Sequence, residues 1–73
     1  MADVTVSVNG QSHTFSGAQT VASIVSRILG TPAESVTGVA VALDDHVIAR
    51  STWETTAVLT GARIELVTAT QGG

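Results

Sequence analysis

The segment Val4-Thr5-Val6-Ser7-Val8-Asn9-Gly10 and, after it, Val21-Ala22-Ser23-Ile24-Val25-Ser26-Arg27-Ile28-Leu29 decide the fold, because apolar spacing changes between them. In the first, Val4, Val6 and Val8 alternate with Thr5 and Ser7, the period of two that puts one face of a strand into a core. Asn9-Gly10 supplies two residues that tolerate positive φ. The strand is therefore expected to reverse through a type I′ turn, with Gln11 to Phe15 returning as its partner and Ser16-Gly17 breaking the pairing. In the second, Val21, Ile24, Val25, Ile28 and Leu29 fall at i, i+3, i+4, i+7 and i+8, the stripe of an amphipathic helix, with Ser23, Ser26 and Arg27 on the wet side. Thr20 is its expected N-cap, and Gly30 followed by Pro32 marks its end near Leu29.

A second strand pair follows. Val39, Val41 and Leu43 form its buried face, Asp44-Asp45 its turn and His46 to Ile48 its return. The turn has no glycine, which leaves its type open. Trp53 lies in an irregular stretch, residues 50–56, and Gly61 precedes a last strand, Arg63 to Val67, with Ile64 and Leu66 facing in. One helix with one apolar stripe covers one face of one sheet. The expected fold is thus α+β, a β-grasp (ubiquitin-like) roll with a mixed sheet of four to five strands and one main helix on one face. Placing the last strand beside the first, near the middle of the sheet, follows fold precedent rather than periodicity. Residues 1–67 form a single domain in this reading and residues 68–73 a tail ending in Gly72-Gly73.

Composition narrows the function. The chain has 73 residues, a net charge of -3 and no cysteine, so no disulfide, thiolate nucleophile or cysteine zinc site is available. A domain of this size buries only about 60–65% of its unfolded surface, which leaves little room for an enclosed catalytic cleft. Arg27, Arg50 and Arg63 are outnumbered by six carboxylates and cannot lay the basic stripe that nucleic acid requires. The apolar run from Val39 ends at Asp44, far short of a membrane span. Asp3 stands where a secretory signal would carry basic residues, so a cytoplasmic location is expected.

Individual residues offer little chemistry. His13 and His46 sit in separate hairpins with no partner at helical spacing and read as exposed hairpin residues. Asp44 and Asp45 are adjacent on a turn, point apart and read as solvated carboxylates rather than a metal corner. Trp53 reads as a buried plug for the end of the sheet, with an interface hot spot as the alternative. The isolated glycines form no phosphate-binding loop. Gly72-Gly73 is either a fraying end or the thinnest peptide available for entering a narrow slot in a partner.

The stretches Gly38-Val39-Ala40-Val41-Ala42-Leu43-Asp44-Asp45-His46-Val47-Ile48-Ala49-Arg50-Ser51-Thr52-Trp53-Glu54 and Leu59-Thr60-Gly61-Ala62-Arg63-Ile64-Glu65-Leu66-Val67-Thr68-Ala69-Thr70-Gln71-Gly72-Gly73 closely resemble the ThiS family of thiamine-biosynthesis sulfur carriers. The Val8-Asn9-Gly10 hairpin and the helix start Gly17-Ala18-Gln19-Thr20-Val21 match as well, so the resemblance spans nearly the whole chain. Arg50-Ser51 with Trp53, and Gln71-Gly72-Gly73, are its specific parts. Asp44, Ala49, Ala62 and Thr70 depart from the residues usual at those places, namely asparagine, proline, aspartate and valine.

The resemblance implies a carrier rather than an enzyme. An E1-like adenylyltransferase, using its own ATP and magnesium, would activate the Gly73 carboxylate, with Gln71, Gly72 and Gly73 entering its active site. Sulfur drawn from a cysteine desulfurase would convert Gly73 to a thiocarboxylate, and thiazole synthase would accept that sulfur. The chain itself would bind no cofactor or metal. A carrier for molybdopterin, cysteine or a secondary metabolite, and a ubiquitin-like protein modifier, are the alternative readings. The sheet face opposite the helix is expected to show Thr5, Ser7, Ala40, Ala42, Glu65 and Val67, with Ala40, Ala42 and Val67 as the candidate partner-docking patch.

Overall fold

The computed structural model describes residues 2–68. Strand β1 (Asp3–Val8) reverses into β2 (Gln11–Ser16), and a short β3 (Gln19–Thr20) leads into helix α1 (Val21–Leu29). Then come β4 (Val39–Leu43), β5 (His46–Val47), β6 (Ala57–Val58) and β7 (Arg63–Thr68), with single 3-10 turns at Ala33–Ser35 and Arg50–Thr52. Five strands form a mixed sheet in the order β2-β1-β7-β4-β5, and β3 and β6 make a separate two-stranded ladder. The β-grasp expectation is met, including the central parallel pair of first and last strands.

Both hairpins turn through two residues of positive φ, Asn9 at 51° with Gly10 at 83°, and Asp44 at 49° with Asp45 at 72°. This is the type I′ signature, whose twist suits the flanking strands. It resolves the turn left open in the sequence. An aspartate in the left-handed region is uncommon but tolerated, and here it is well supported. The Asp44 amide donates to the Arg63 carbonyl at 2.8 Å, its Oδ1 accepts the Arg63 amide at 2.8 Å, and Asp45 pairs with the Arg63 guanidinium.

The parallel seam between β1 and β7 is built from both main chain and side chain. Gly61 donates to the Thr5 carbonyl, Ser7 to that of Ala62 and Asn9 to that of Ile64, at 2.9, 3.1 and 2.9 Å. Beyond Asn9 the backbone of β1 turns away, yet β7 continues. The Asn9 carboxamide takes the place of the missing peptide: its Oδ1 accepts from the Leu66 amide at 2.8 Å and its Nδ2 donates to the Leu66 carbonyl at 3.2 Å.

Helix α1 starts where its orphan amides find partners. Ser23 donates to the Thr20 hydroxyl at 3.1 Å and the Ser23 hydroxyl receives the Thr20 amide at 2.9 Å, a reciprocal cap. The amides of Val21 and Ala22 donate to the carbonyls of Thr56 and Trp53, both at 3.0 Å. Gly30, at φ 71°, closes the other end in the left-handed conformation that glycine adopts without a Cβ clash.

The core gathers Val4, Val6 and Val8 of β1, Val21, Ile24 and Val25 of α1, Val41 of β4, Ile64 and Leu66 of β7, and Trp53. Leu29, expected on the buried stripe, is 38% exposed, whereas Ala22 is buried. The reason is what covers each end of the helix: the Trp53 segment lies against its first turn, while Leu29 is its last residue. Strand β5 stops at Val47 rather than Ile48, and β7 includes Thr68, paired with Val39. The β3–β6 ladder leaves no periodic signal in the sequence, since two residues are too few to show one.

Replacing Thr20 by alanine removes the acceptor for the Ser23 amide. Thermal unfolding of Thr20→Ala should show a loss of about 1 kcal/mol, or about 4–8 °C in Tm for a domain of this size.

Candidate functional site

Strand alternation sorts the sheet into two faces. Ala40 lies opposite Val67, Ala42 opposite Glu65, and Ala42 also opposite Val47 across the second hairpin. Directly opposed residues share a face, and this one is turned away from α1, because the neighbouring Val41, Ile64 and Leu66 are in the core. The three residues singled out from sequence therefore do come together. With Asn9, Val41, Val47 and Glu65 they line a shallow hollow of about 280 Å³.

Val47 was missed. It is 81% exposed, and Val67 is 64% exposed, so together they carry most of the patch's unburied aliphatic surface. The signal was present in the turn: a two-residue connection at Asp44-Asp45 forces His46 opposite Leu43 and Val47 opposite Ala42. Reading it required knowing the turn type. Glu65 is the one carboxylate lining the hollow, and Arg63 at the other end of β7 is engaged by Asp45.

The remaining candidates separate cleanly. His13 is half-buried against Phe15, with ring centroids 6.2 Å apart and planes 17° from parallel, so the expectation of an exposed hairpin histidine is corrected there. It lies opposite Val6 on the core-facing side of β2, which gives its ring an aromatic neighbour. His46 is exposed, with Nδ1 3.0 Å from the Asp44 carbonyl. The two histidines occupy opposite edge strands of the five, about 19 Å apart at the usual strand spacing. Among the described residues no group of three or more His, Cys, Asp or Glu converges as a metal site.

Trp53 is 2% exposed and its indole donates to the Ile48 carbonyl at 3.1 Å. It is a core plug, inaccessible to a partner. Arg50 stacks over that indole at 4.7 Å and donates to the Ala33 carbonyl at 2.7 Å and to the Val36 carbonyl. The Arg50-Ser51-Thr52-Trp53 stretch thus ties the crossover after α1 to the segment after β5. A wider, open concavity of about 590 Å³ runs beside α1 past Thr20, Ser23, Ser26 and Glu34, with no group of opposite charge to Glu34 along it.

β7 is described as far as Thr68, directly beyond Val67. The tail residues Gln71, Gly72 and Gly73 lie outside the described residues. Fully extended, the five residues after Thr68 span at most about 18 Å.

The ThiS family model matches residues 6–73. The chain belongs to the ThiS family. Among solved structures it is similar to a thiamine biosynthesis protein (ThiS) from Geobacter metallireducens, at 25% identity and a TM-score of 0.76, covering 96% of this chain and 100% of that one. No curated protein matches it in sequence. At the level of the family it is a sulfur carrier of thiamine biosynthesis, of a type that acts with partner enzymes and is a carrier rather than a catalyst. No helix among the described residues is long and apolar enough to cross a membrane.

Because Val47 and Val67 are largely exposed, changing them should leave the fold intact. Val47→Thr and Val67→Thr together should shift folding stability by no more than about 0.5 kcal/mol in denaturant titration, so that any loss of partner binding reflects the surface itself.

Proposed function

We propose that the chain carries sulfur as a thiocarboxylate on Gly73. The carboxylate of Gly73 attacks the α-phosphate of ATP on an E1-like adenylyltransferase, giving an acyl adenylate and pyrophosphate. Magnesium and cationic side chains for that step belong to the partner. A persulfide sulfur, originating from a cysteine desulfurase, then displaces AMP, and thiol reduction of the resulting acyl disulfide leaves the thiocarboxylate. Thiazole synthase takes that sulfur into the thiazole phosphate of thiamine.

The observation that carries this reading is the family match, which extends through residue 73 and includes the Gly72-Gly73 pair. The sheet face supports it from the other side. Ala40, Ala42, Val47 and Val67 offer a shallow aliphatic surface on the strand that runs to Thr68 and on its neighbours. A partner that packs on this face holds the domain at a fixed distance from its own nucleotide site. Small side chains let a flat partner surface approach the sheet closely, and the net charge of -3 favours encounter with a basic surface. Glu65 gives the patch one charge for fixing orientation.

Intact mass spectrometry after incubation with the adenylyltransferase, ATP and a sulfur source tests the chemistry. Exchange of one oxygen for sulfur, confined to Gly73, is expected, and deletion of Gly73 should abolish it without altering Tm. High-mass conjugates would instead indicate a protein modifier, and an unchanged mass would refute activation. Transfer to thiazole synthase, rather than to a molybdopterin synthase large subunit, separates the thiamine pathway from its rivals. For the docking face, Ala42→Arg and Val67→Asp should each slow adenylation by about tenfold or more, the scale of one charge forced into an apolar contact; unchanged rates for both would rule the face out.

A further inference from the structure

Asn9 is the only asparagine in the chain, and Gly10 follows it. Asparagine before glycine is chemically labile, because the glycine nitrogen approaches the side-chain carbonyl without a Cβ in the way. Attack of the Gly10 nitrogen on Asn9 Cγ closes a five-membered succinimide, and the side-chain nitrogen leaves as ammonia, taking the Gly10 amide proton with it. Water then opens the ring at either carbonyl, giving aspartate or isoaspartate. No oxidant, reductant or enzyme is needed.

We propose that Asn9 is a site of spontaneous deamidation, that the β1–β7 seam gates it, and that the product cannot rebuild the seam. Both polar atoms of the reacting carboxamide are engaged by Leu66, Oδ1 at 2.8 Å and Nδ2 at 3.2 Å. The Asn9 amide is also held by the Ile64 carbonyl at 2.9 Å. Ring closure requires the carboxamide to leave Leu66 and swing back over Gly10, so the reaction must wait for both of its hydrogen bonds across the seam to break. After deamidation the Leu66 amide still finds an acceptor. The Leu66 carbonyl, however, faces a carboxylate oxygen where it had a donor, and two acceptors in that position repel. Isoaspartate does further harm, since an extra methylene in the main chain of a two-residue turn shifts the β1–β2 register. A change of a single amide to an acid thereby unfastens the strand that leads to Thr68.

The unmodified chain provides the first test. It is held in warm, mildly alkaline buffer, folded or in guanidinium chloride, and followed by intact mass and by peptide mapping for aspartate and isoaspartate at Asn9. Deamidation should be slower in the folded protein by about tenfold or more, since two hydrogen bonds must first be broken; equal rates would overturn the gating. The second test compares Asn9→Asp with Asn9→Gly, which keeps the turn and merely deletes the side chain. A lower Tm for Asn9→Asp than for Asn9→Gly at neutral pH, or its failure to fold when Asn9→Gly folds, is the expected result. Equal or higher stability of Asn9→Asp would refute the acceptor conflict.

Discussion

Asn9 and Leu66 stand 57 residues apart, and the side chain of one completes the backbone ladder of the other. That junction joins the two hairpins into one sheet, because β1 brings β2 with it and β7 brings β4 and β5. Parallel neighbours cannot be linked by a tight turn, so the helix, the second hairpin and the β3–β6 ladder are all carried in the connection between them. The seam has few main-chain bonds, and the Asn9 carboxamide extends it by one more residue pair. In a domain this small, where net stability is a few kcal/mol left from large opposing terms, such an extension is a sizeable share of what holds the sheet closed.

Around the seam, chemistry is divided by face. The inner face is aliphatic and closed by α1 and Trp53, and its buried polar side chains are satisfied, with no orphaned donor or acceptor among the described residues. Gln19, the one buried polar residue among those described, is engaged by the Ser16 carbonyl and the Ser23 hydroxyl. The outer face shows Ala40, Ala42, Val47 and Val67 with the carboxylate of Glu65 among them. This arrangement suits the carrier role of the family: a closed core on one side and an aliphatic surface on the other. Arg50 illustrates the same economy. Its charge is met by two carbonyls and an indole, so the most distinctive internal motif of the sequence is tied into the fold.

The outward patch of the sheet was partly legible because alternation is a local property. Once Val41 and Leu66 are assigned to the core, Ala40, Ala42 and Val67 must face the other way. Val47 was not legible by the same rule, since its strand is two residues long and its face depends on the register set by Asp44-Asp45. Asn9 shows a different limit. Its dipeptide announces a turn so strongly that a second role, as a surrogate peptide for a distant strand, leaves no further mark on the sequence.

The sequence by itself determined the two periodicities, the capped helix, the Asn9-Gly10 turn and the place, though not the type, of the Asp44-Asp45 turn, because each rests on residues a few positions apart. Its likeness to a known family supplied the role proposed for Gly73, which no composition or spacing reveals. Only the tertiary structure decided which residues meet across the chain: Asn9 with Leu66, Asp44 with Arg63, Arg50 with Ala33 and Val36, Ala40 with Val67. Those pairings depend on where a long connection returns, and closure of such a connection is governed by the whole core rather than by any local preference.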